Sequence, residues 1–206
     1  MVGFEAPKIR TYLGQRFPDR RFRYMLNPNF RSTNNAYSLL LAREFFLGTG
    51  KRSRVFSNLF LLDSDIIFHR HLISRMLESE GGCKAAVRLL GQHDEEEVHV
   101  KLDDVGCITK IGKDVSLRFS DGESVGVELF DNEAGRSLFD VLERRIKEGP
   151  GRIEYYEQAF QEMIDLGLRI KSVDVGDLPL AEIDSPEDLE HAERVVIPKI
   201  DGLSDV

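Results

Sequence analysis

A short apolar run that ends in two aspartates strongly limits the folds open to this chain. Leu59 to Leu62 is apolar at every position, which suits a central parallel strand covered on both faces. Asp63 and Asp65 follow directly, and a carboxylate there is poorly solvated unless it faces a cleft or a cation. In parallel sheets ligands bind beyond the carboxyl ends of the strands. The run therefore predicts an α/β fold with an acidic site at this edge of the sheet.

The order of the predicted elements indicates a mixed sheet. Strands and helices alternate at first, and hairpin signals follow in the middle of the chain. We predict strands at 1–4, 21–26, 59–62, 85–90, 98–102, 107–111, 124–130 and 169–175. We predict helices at 7–17, from 35 to about 47, at 70–79, 133–148 and 154–166, and from a strong start at Ser185. One domain is expected over residues 1–196, followed by a frayed C-terminal tail over 197–206.

Composition excludes several classes of function. The net charge of −8 argues against nucleic acid as a partner, because binding to a phosphate backbone needs a basic face. No run approaches the roughly 18 apolar residues that span a bilayer, and the N-terminus lacks the features of a secretion signal. Cys83 and Cys107 belong to no metal-binding motif, which favours free thiols in a cytoplasmic protein. A small phosphorylated ligand held by a divalent cation remains compatible with the charge.

Two acidic segments are candidates for a metal site. Asp63 and Asp65 would share one side if the strand continued through them; the alternative is that both only cap the turn into the next helix. Asp184 lies just before the helix start at Ser185, where it would also favour the helix dipole. Mg²⁺ usually takes one or two protein carboxylates and leaves its other positions to phosphate and water. Asp65 and Asp184 would suffice if they met in space.

Two adjacent asparagines, Asn34 and Asn35, precede the apolar helix that begins near Ala36. Asparagine is a favourable N-cap residue, so one of them has an ordinary structural role. Its side-chain amide both donates and accepts hydrogen bonds. Helix capping alone is one interpretation of the pair, and it leaves open why two asparagines are present.

Taken in order, several segments resemble the nucleotidyltransferases that activate a phosphorylated small molecule with an NTP. The similarity is strongest to the phosphocholine cytidylyltransferase-like branch and runs from Met1 to about Val196. The segments are VGF, LNPNFRSTNNAYSLLLARE, FLLDSDIIF, VKLDDVGCITKIGKDV, ESVGVELF, EYYEQAF and AEIDSPEDLEHAE. The resemblance implies a Rossmann-like, three-layer mixed sheet of the nucleotidyltransferase or GT-A type, with a small hairpin-containing insertion that binds the acceptor.

The resemblance also implies a reaction and the residues that serve it. The acceptor phosphate attacks the α-phosphorus of the NTP (CTP in the choline branch) in line, and pyrophosphate leaves, with Mg²⁺ held between two carboxylates. Asp65 and Asp184 match the two catalytic metal ligands. Asn34, Asn35, Ser38 and Asp63 fall in the nucleotide-binding set. Asn34 and Asn35 match the loop that reads the nucleotide base in the family, a task that needs both a donor and an acceptor.

The acceptor residues follow from the same resemblance. Lys113 matches a lysine near the acceptor phosphate, but it also fits an exposed lysine at a strand end. Tyr155, Tyr156 and Glu157 match a triplet that holds an ammonium group, because aromatic faces and a carboxylate attract such cations. Tyr156 also fits the buried face of a helix, and the absence of tryptophan weakens the assignment to choline.

The chain departs from the family pattern at its start. The family's first strand and its glycine-rich loop, with an arginine and a Pro-Lys pair, have no counterpart here, and MVGF matches the second strand. We expect that the chain is a fragment, that it starts late, or that catalysis has been lost, and that it has little activity by itself. A glycosyltransferase with a nucleotide-sugar donor and a non-catalytic remnant are the alternative functions. Assembly as a homo-oligomer is left open.

Overall fold

The computed structural model describes residues 1–48, 57–89 and 97–203. It divides the chain into two compact units. Unit one comprises Met1–Ser57 and Gly135–Met163, and unit two comprises Asn58–Ala134 and Ile164–Val206. The organisation of residues 1–196 as one domain stays a prediction. No helix in the described part of the chain is both long enough and apolar enough to cross a membrane.

Helices and strands are interspersed along the chain, as the α/β prediction requires. The helices are α1 (Ala6–Arg16), α2 (Asn35–Leu41), α3 (Arg43–Leu47), α4 (His71–Glu78), α5 (Asn132–Glu148), α6 (Glu157–Asp165), α7 (Pro186–His191) and α8 (Ile197–Gly202). The strands are β1 (Asn58–Leu62), β2 (Ile66–Phe68), β3 (Lys84–Arg88), β4 (His99–Leu102), β5 (Ile108–Gly112), β6 (Gly122–Asp131), β7 (Lys171–Asp174) and β8 (Leu180–Glu182).

The main sheet of unit two is mixed, which confirms the predicted fold class. Its strand order is β5-β4-β6-β3-β7, and β1 also pairs with β6. The β3–β7 pair is parallel, and the other pairs in this sheet are antiparallel. The ten-residue strand β6 accepts β3 along one edge, and β4 and then β1 along the other. The predicted hairpin joins β4 to β5.

The interpretation of β1 as a central parallel strand is wrong. Among the described residues β1 pairs only with β6, and it does so antiparallel. Phe60 packs on the core cluster of unit two, whereas Leu62 is 42% exposed. A run that is apolar at every position suggests burial on both faces, but that run carries no information about the number of neighbouring strands.

A second, two-stranded sheet was not predicted. β2 pairs antiparallel with β8, with Ile66 opposite Glu182 and Phe68 opposite Leu180. Each strand has three residues, which is too short to produce a recognisable alternation of apolar and polar side chains. This small sheet connects the two acidic segments of the chain.

Helix α4 supplies part of the core of unit two. Leu72 and Met76 are fully buried against the sheet and belong to the same cluster as Val127. Leu77 is 57% exposed. One further residue turns a helix by about 100°, so position 77 leaves the buried stripe that position 76 occupies.

Unit one begins with a short pairing and not with two full strands. Val2 bridges Leu26 in parallel, with Val2 N–H donating to Met25 O at 2.9 Å and Asn27 N–H donating to Val2 O at 2.9 Å. The rest of the predicted strand 21–26 is irregular. Alternation of side chains predicts a strand only where a partner strand completes the ladder, and here the pairing stops after one bridge.

The helical segments of unit one enclose a small aromatic core. The helix predicted from 35 to about 47 is in fact two, α2 and α3, separated at Ala42. Phe46 packs on Phe139 of α5 with ring centroids 5.5 Å apart. Gly135 allows this approach, because a Cβ there would lie 2.6 Å from the Phe46 ring.

The C-terminal helices are more extensive than predicted. α7 has the predicted cap at Ser185, but residues 197–202 form α8 and are not a frayed tail. A π-helical turn, Ala192–Val196, joins the two helices just before Pro198. Proline lacks the N–H that a regular helix needs, and a π-turn is one way to accommodate that loss. Residues 204–206 of the predicted tail lie outside the described residues.

Candidate active site

Three carboxylates of unit two meet at one point. Ligand oxygens of Asp65, Glu182 and Asp184 all lie within 4.8 Å of one another. The β2–β8 ladder creates this meeting, because Ile66 pairs with Glu182 and Ile183 N–H donates to Asp65 O at 2.8 Å. The two aspartates proposed as metal ligands are therefore adjacent. Glu182 was not predicted, although its spacing of two from Asp184 repeats the spacing of Asp63 and Asp65.

The cap of α7 leaves the Asp184 carboxylate to this cluster. Ser185 Oγ accepts from Asp188 N–H at 3.2 Å, and Asp188 Oδ2 accepts from Ser185 N–H at 2.9 Å. Asp188 Oδ2 also accepts from the Asp184 N–H at 3.2 Å. The Ser185 hydroxyl also donates to Asp188 Oδ2 at 2.7 Å, and this bond, followed by those from the backbone N–H groups of Ser185 and Asp184, lowers the pKa of Asp188. The capping box of α7 thus consists of Ser185 and Asp188, and the Asp184 side chain is not part of it.

The cluster concentrates negative charge on Glu182. Partial desolvation raises the pKa of Glu182, and repulsion from Glu97, Asp184, Asp65 and Asp63 adds to this in that order of strength, so that together they bring the pKa to about 7. A bound divalent cation would relieve both effects, because it stabilises the charged carboxylates. An all-oxygen ligand set of this kind suits Mg²⁺, Mn²⁺ or Ca²⁺.

A cleft of about 370 Å³ opens beside the cluster within unit two. Glu182 and Asp184 line it, and so does Lys113, which the resemblance assigned to the acceptor phosphate. Arg88 and Glu123 contribute a second cation and its partner carboxylate to the same cleft. The cleft therefore combines an acidic site suited to a metal with cations suited to a phosphate.

Asp63 lies near the cluster but not in it. The strand ends at Leu62, so Asp63 and Asp65 do not continue one strand as the spacing suggested. Asp63 N–H donates to Gly126 O at 2.9 Å, and a Cβ at position 126 would lie 2.5 Å from Asp63 Oδ2. Gly126 also has φ +69°, a conformation that favours glycine. The role of Asp63 in nucleotide binding stays a prediction.

The two asparagines of unit one have different structural roles. Asn34 is the N-cap of α2, with its side-chain oxygen accepting from Asn35 N–H at 2.8 Å. Asn35 Oδ1 accepts from Tyr156 N–H at 2.8 Å, a contact across 121 residues. Asn34 N–H donates to Arg152 O at 2.8 Å. Asn35 is thus free of capping, as expected, but its oxygen holds the start of α6.

The amide nitrogens of these asparagines remain relevant to base reading. Within the described residues neither Asn34 Nδ2 nor Asn35 Nδ2 makes a hydrogen bond. Ser38 Oγ, from the same predicted set, accepts from the buried Asn27 Nδ2 at 3.0 Å. Asn27, which sequence reasoning missed, also donates to Thr33 at 3.0 Å and so fixes the loop before α2. The nucleotide-binding roles of Asn34, Asn35 and Ser38 stay predictions.

The aromatic triplet divides into buried and exposed members. Tyr156 is 2% exposed and packs on Phe160 with ring centroids 5.1 Å apart, as expected for a core position. Glu157 is also buried and begins α6. Tyr155 is 43% exposed, so its ring is the most accessible of the three to a ligand. The assignment of Tyr155, Tyr156 and Glu157 to the acceptor stays a prediction.

Comparisons with known proteins found a curated relative and several solved structures to which the chain is similar. No family model matches the chain. A curated relative, the CMP-5'-(3-aminopropyl)phosphonate synthase of Streptomyces rubellomurinus, is 26% identical over 204 residues, which is 94% of this chain. The chain spans only 30% of the length of that relative.

Solved structures share the fold over nearly the whole chain. The inositol-1-phosphate CTP transferase from T. maritima aligns with a TM-score of 0.73 and 20% identity, covering 98% of this chain and 76% of its own. The CTP:phosphocholine cytidylyltransferase from Streptococcus pneumoniae aligns with a TM-score of 0.63 and 16% identity, covering 91% of this chain and 73% of its own. These neighbours confirm the resemblance to nucleotidyltransferases at the level of the fold.

Proposed function

We propose that the protein carrying this chain transfers a cytidylyl group from CTP to a small phosphorylated acceptor and releases pyrophosphate. The observation that carries the proposal is the meeting of Asp65 and Asp184 at a cleft that also contains Lys113. The fold is that of nucleotidyltransferases. CTP is proposed because the names of two structural neighbours and of the curated relative refer to CTP or CMP.

The residues of the cleft are proposed to have different roles in an in-line displacement. An oxygen of the acceptor phosphate forms the new bond to the α-phosphorus of CTP, and the bond to the β-phosphate oxygen breaks, with its electron pair leaving on pyrophosphate. Asp65 and Asp184 would hold a divalent cation, with Glu182 joining them once it loses its proton. When bound, that cation neutralises charge on the reacting phosphates. Lys113 would hold the acceptor phosphate in the orientation for attack.

The acceptor is proposed to be a small molecule with a phosphate or phosphonate group. Phosphocholine, inositol 1-phosphate and an aminoalkyl phosphonate all fit the names of the two structural neighbours and the curated relative, and a sugar phosphate is a further candidate. Tyr155 is proposed to contact an ammonium group where the acceptor carries one, since its ring is exposed. Asn34 and Asn35 are proposed to read the base, so Asn34→Ala should raise the KM for CTP more than the KM for the acceptor.

The structure argues against the glycosyltransferase alternative. That alternative would need only the Asp63–Ser64–Asp65 motif, and a large separation of Asp184 from Asp65 would have favoured it. The two carboxylates are instead within 4.8 Å. We further propose that the protein works in the cytoplasm without a nucleic acid or membrane partner, which the two free, buried cysteines fit.

We also propose that the 206-residue chain has little turnover by itself. Its sequence contains no counterpart of the glycine-rich loop and its cations, which hold the triphosphate in the family that the chain resembles. The loss of even one preorganised donor to a developing charge costs about 3–4 kcal/mol in the transition state. Robust release of pyrophosphate by the chain alone would show that the triphosphate binds elsewhere.

The function is tested in the natural protein that carries this chain. CTP and each acceptor class are incubated with Mg²⁺, and the cytidylylated product is detected by mass spectrometry. Asp65→Asn and Asp184→Asn should each lower the rate by about a hundredfold or more, while Asp104→Asn on the exposed hairpin should leave it unchanged. Failure of the unmodified protein to form a nucleotidylated product from any NTP and acceptor would refute the proposal.

A further inference from the structure

We propose that Arg88, oriented by Glu123, binds the anionic group of the acceptor together with Lys113. This inference rests on the proposed function, because it assigns a specificity-determining residue to the same cleft. Neither the motifs of the sequence nor the resemblance singled out Arg88. The structure gives it a position, an orientation and a charge that suit this role.

The position follows from the register of the sheet. Arg88, the last residue of β3, lies opposite Glu123 of β6. Glu123 lies opposite His99 of β4, which in turn lies opposite Gly112 of β5. Lys113 follows Gly112 directly. One row across four strands therefore places Arg88 level with Gly112, the residue before Lys113, and both Arg88 and Lys113 line the 370 Å³ cleft.

The orientation of Arg88 is fixed by a short ion pair. Arg88 Nη1 donates to Glu123 Oε1 at 2.7 Å, and only 8% of the Glu123 side chain is exposed. The Arg88 side chain keeps 31% of its surface exposed. A guanidinium has five N–H donors, and within the described residues only the bond from Nη1 is made. A buried carboxylate thus holds one corner of the guanidinium, and other donors remain for a ligand.

The charge of the cleft indicates where an anion would bind. Among the described residues that line it, Arg88 and Lys113 are the two cations, and the acids are Glu97, Glu123, Glu182, Asp184 and Asp188. An anion placed against Glu182 and Asp184 would be repelled before a metal binds, whereas at Arg88 the charge of Glu123 is already paired. A planar guanidinium pairs with two oxygens of a phosphate or phosphonate at once, while a lysine acts as a point charge. The pair therefore suits a doubly charged phosphate monoester or phosphonate.

A purely structural role for Arg88 makes a different prediction. If the Arg88–Glu123 pair served only to join β3 and β6, its removal would lower stability without affecting the binding of anions. Substitution by lysine separates the two roles, because it keeps the charge and loses the planar fork. Arg169 is the matched control, since it is an exposed arginine of unit two that pairs with Asp103 at 3.4 Å.

The test is calorimetric titration of the chain with three probes in the presence of Mg²⁺: (3-aminopropyl)phosphonate, phosphocholine and inorganic phosphate. Arg88→Gln should weaken the binding of each probe by about tenfold or more, and Arg88→Lys should recover only part of this loss. Glu123→Gln should weaken the same probes, since Arg88 then loses its orientation. Arg169→Gln should stay within about twofold of the unmodified chain.

Two results would overturn the inference: binding by Arg88→Gln within about twofold of the unmodified chain, or no binding of any probe by the unmodified chain. Melting temperatures show whether a variant is unfolded. If Arg88→Gln is unfolded, the inference is judged by Arg88→Lys, whose binding within about twofold of the unmodified chain would overturn it. Different results would refute the proposed function and the inference about Arg88. Product formation by the natural protein with an unchanged acceptor KM in Arg88→Gln would refute only the inference. No product from any NTP, with anion binding still dependent on Arg88, would refute only the function.

Discussion

The backbone carbonyl of Asp65 accepts a 2.8 Å hydrogen bond from the amide of Ile183. This bond extends the β2–β8 pairing by one step and joins segments that lie more than a hundred residues apart in the sequence. It brings the Asp65 carboxylate to those of Glu182 and Asp184. Backbone pairing thus builds the acidic site, and the fold keeps the three carboxylates close together despite their mutual repulsion.

The first prediction concerns the pH dependence of stability. Burial and neighbouring carboxylates raise the pKa of Glu182 from 4.5 to about 7 on folding. Between these values the folded chain holds a proton that the unfolded chain has lost, so this group makes stability fall as pH rises through that window. In the presence of EDTA, the melting temperature of Glu182→Gln should therefore fall less between pH 5 and pH 8 than that of the unmodified chain.

The control for this prediction is Glu187→Gln, an exposed glutamate of α7 outside the cluster. Its pH dependence should match that of the unmodified chain. Addition of Mg²⁺ at pH 8 should raise the melting temperature of the unmodified chain, because the metal relieves the repulsion. If the melting temperatures of Glu182→Gln and the unmodified chain changed with pH in the same way, the pKa of Glu182 would not be raised on folding.

The second prediction concerns Gly126. Alanine there would take φ +69° and bring its Cβ to 2.5 Å from Asp63 Oδ2, so Gly126→Ala should destabilise the chain by about 1–3 kcal/mol. Gly14→Ala is the control, because its Cβ in the exposed helix α1 would meet nothing within 4 Å. That change should stabilise by about 0.5–1 kcal/mol. Urea unfolding measures both, and equal effects would contradict the proposed strain.

The third prediction separates the two asparagines. Asn35→Ala would leave the Tyr156 N–H without its acceptor, at a cost of about 1–3 kcal/mol if that group stays buried. Asn35→Asp keeps an oxygen at the same place and should cost less. Asn34→Ala removes a helix cap and should cost about 1 kcal/mol. If urea unfolding gave the same loss for Asn35→Ala and Asn35→Asp, the contact with Tyr156 would have no energetic role.

Sequence reasoning succeeded where local chemistry decides the structure. The cap at Ser185, with its partner Asp188 three residues on, specifies a helix start by contacts within a single turn. The hairpin between β4 and β5 is specified in the same way, because Asp103 Oδ1 accepts from the N–H groups of Val105 and Cys107. Such elements need no information from distant parts of the chain.

The failures have a common cause in pairing over long distances. β1 was assigned as a parallel central strand from its apolar side chains, although its neighbour β6 is more than sixty residues away. Glu182 was missed because only the pairing of β2 with β8 brings it to Asp65. The resemblance placed Asp65 and Asp184 together because it carried this distant information. Without the resemblance, the sequence predicted only two separate acidic segments.

The central claim is that Asp65 and Asp184 share one divalent cation. The most direct measurement is a titration of the chain with Mn²⁺, followed by electron paramagnetic resonance of the free ion. The account predicts one site in the unmodified chain, weakened by about tenfold or more in Asp65→Asn and in Asp184→Asn, and unchanged in Asp104→Asn. Equal affinity for Mn²⁺ in the unmodified chain, Asp65→Asn and Asp184→Asn would contradict it.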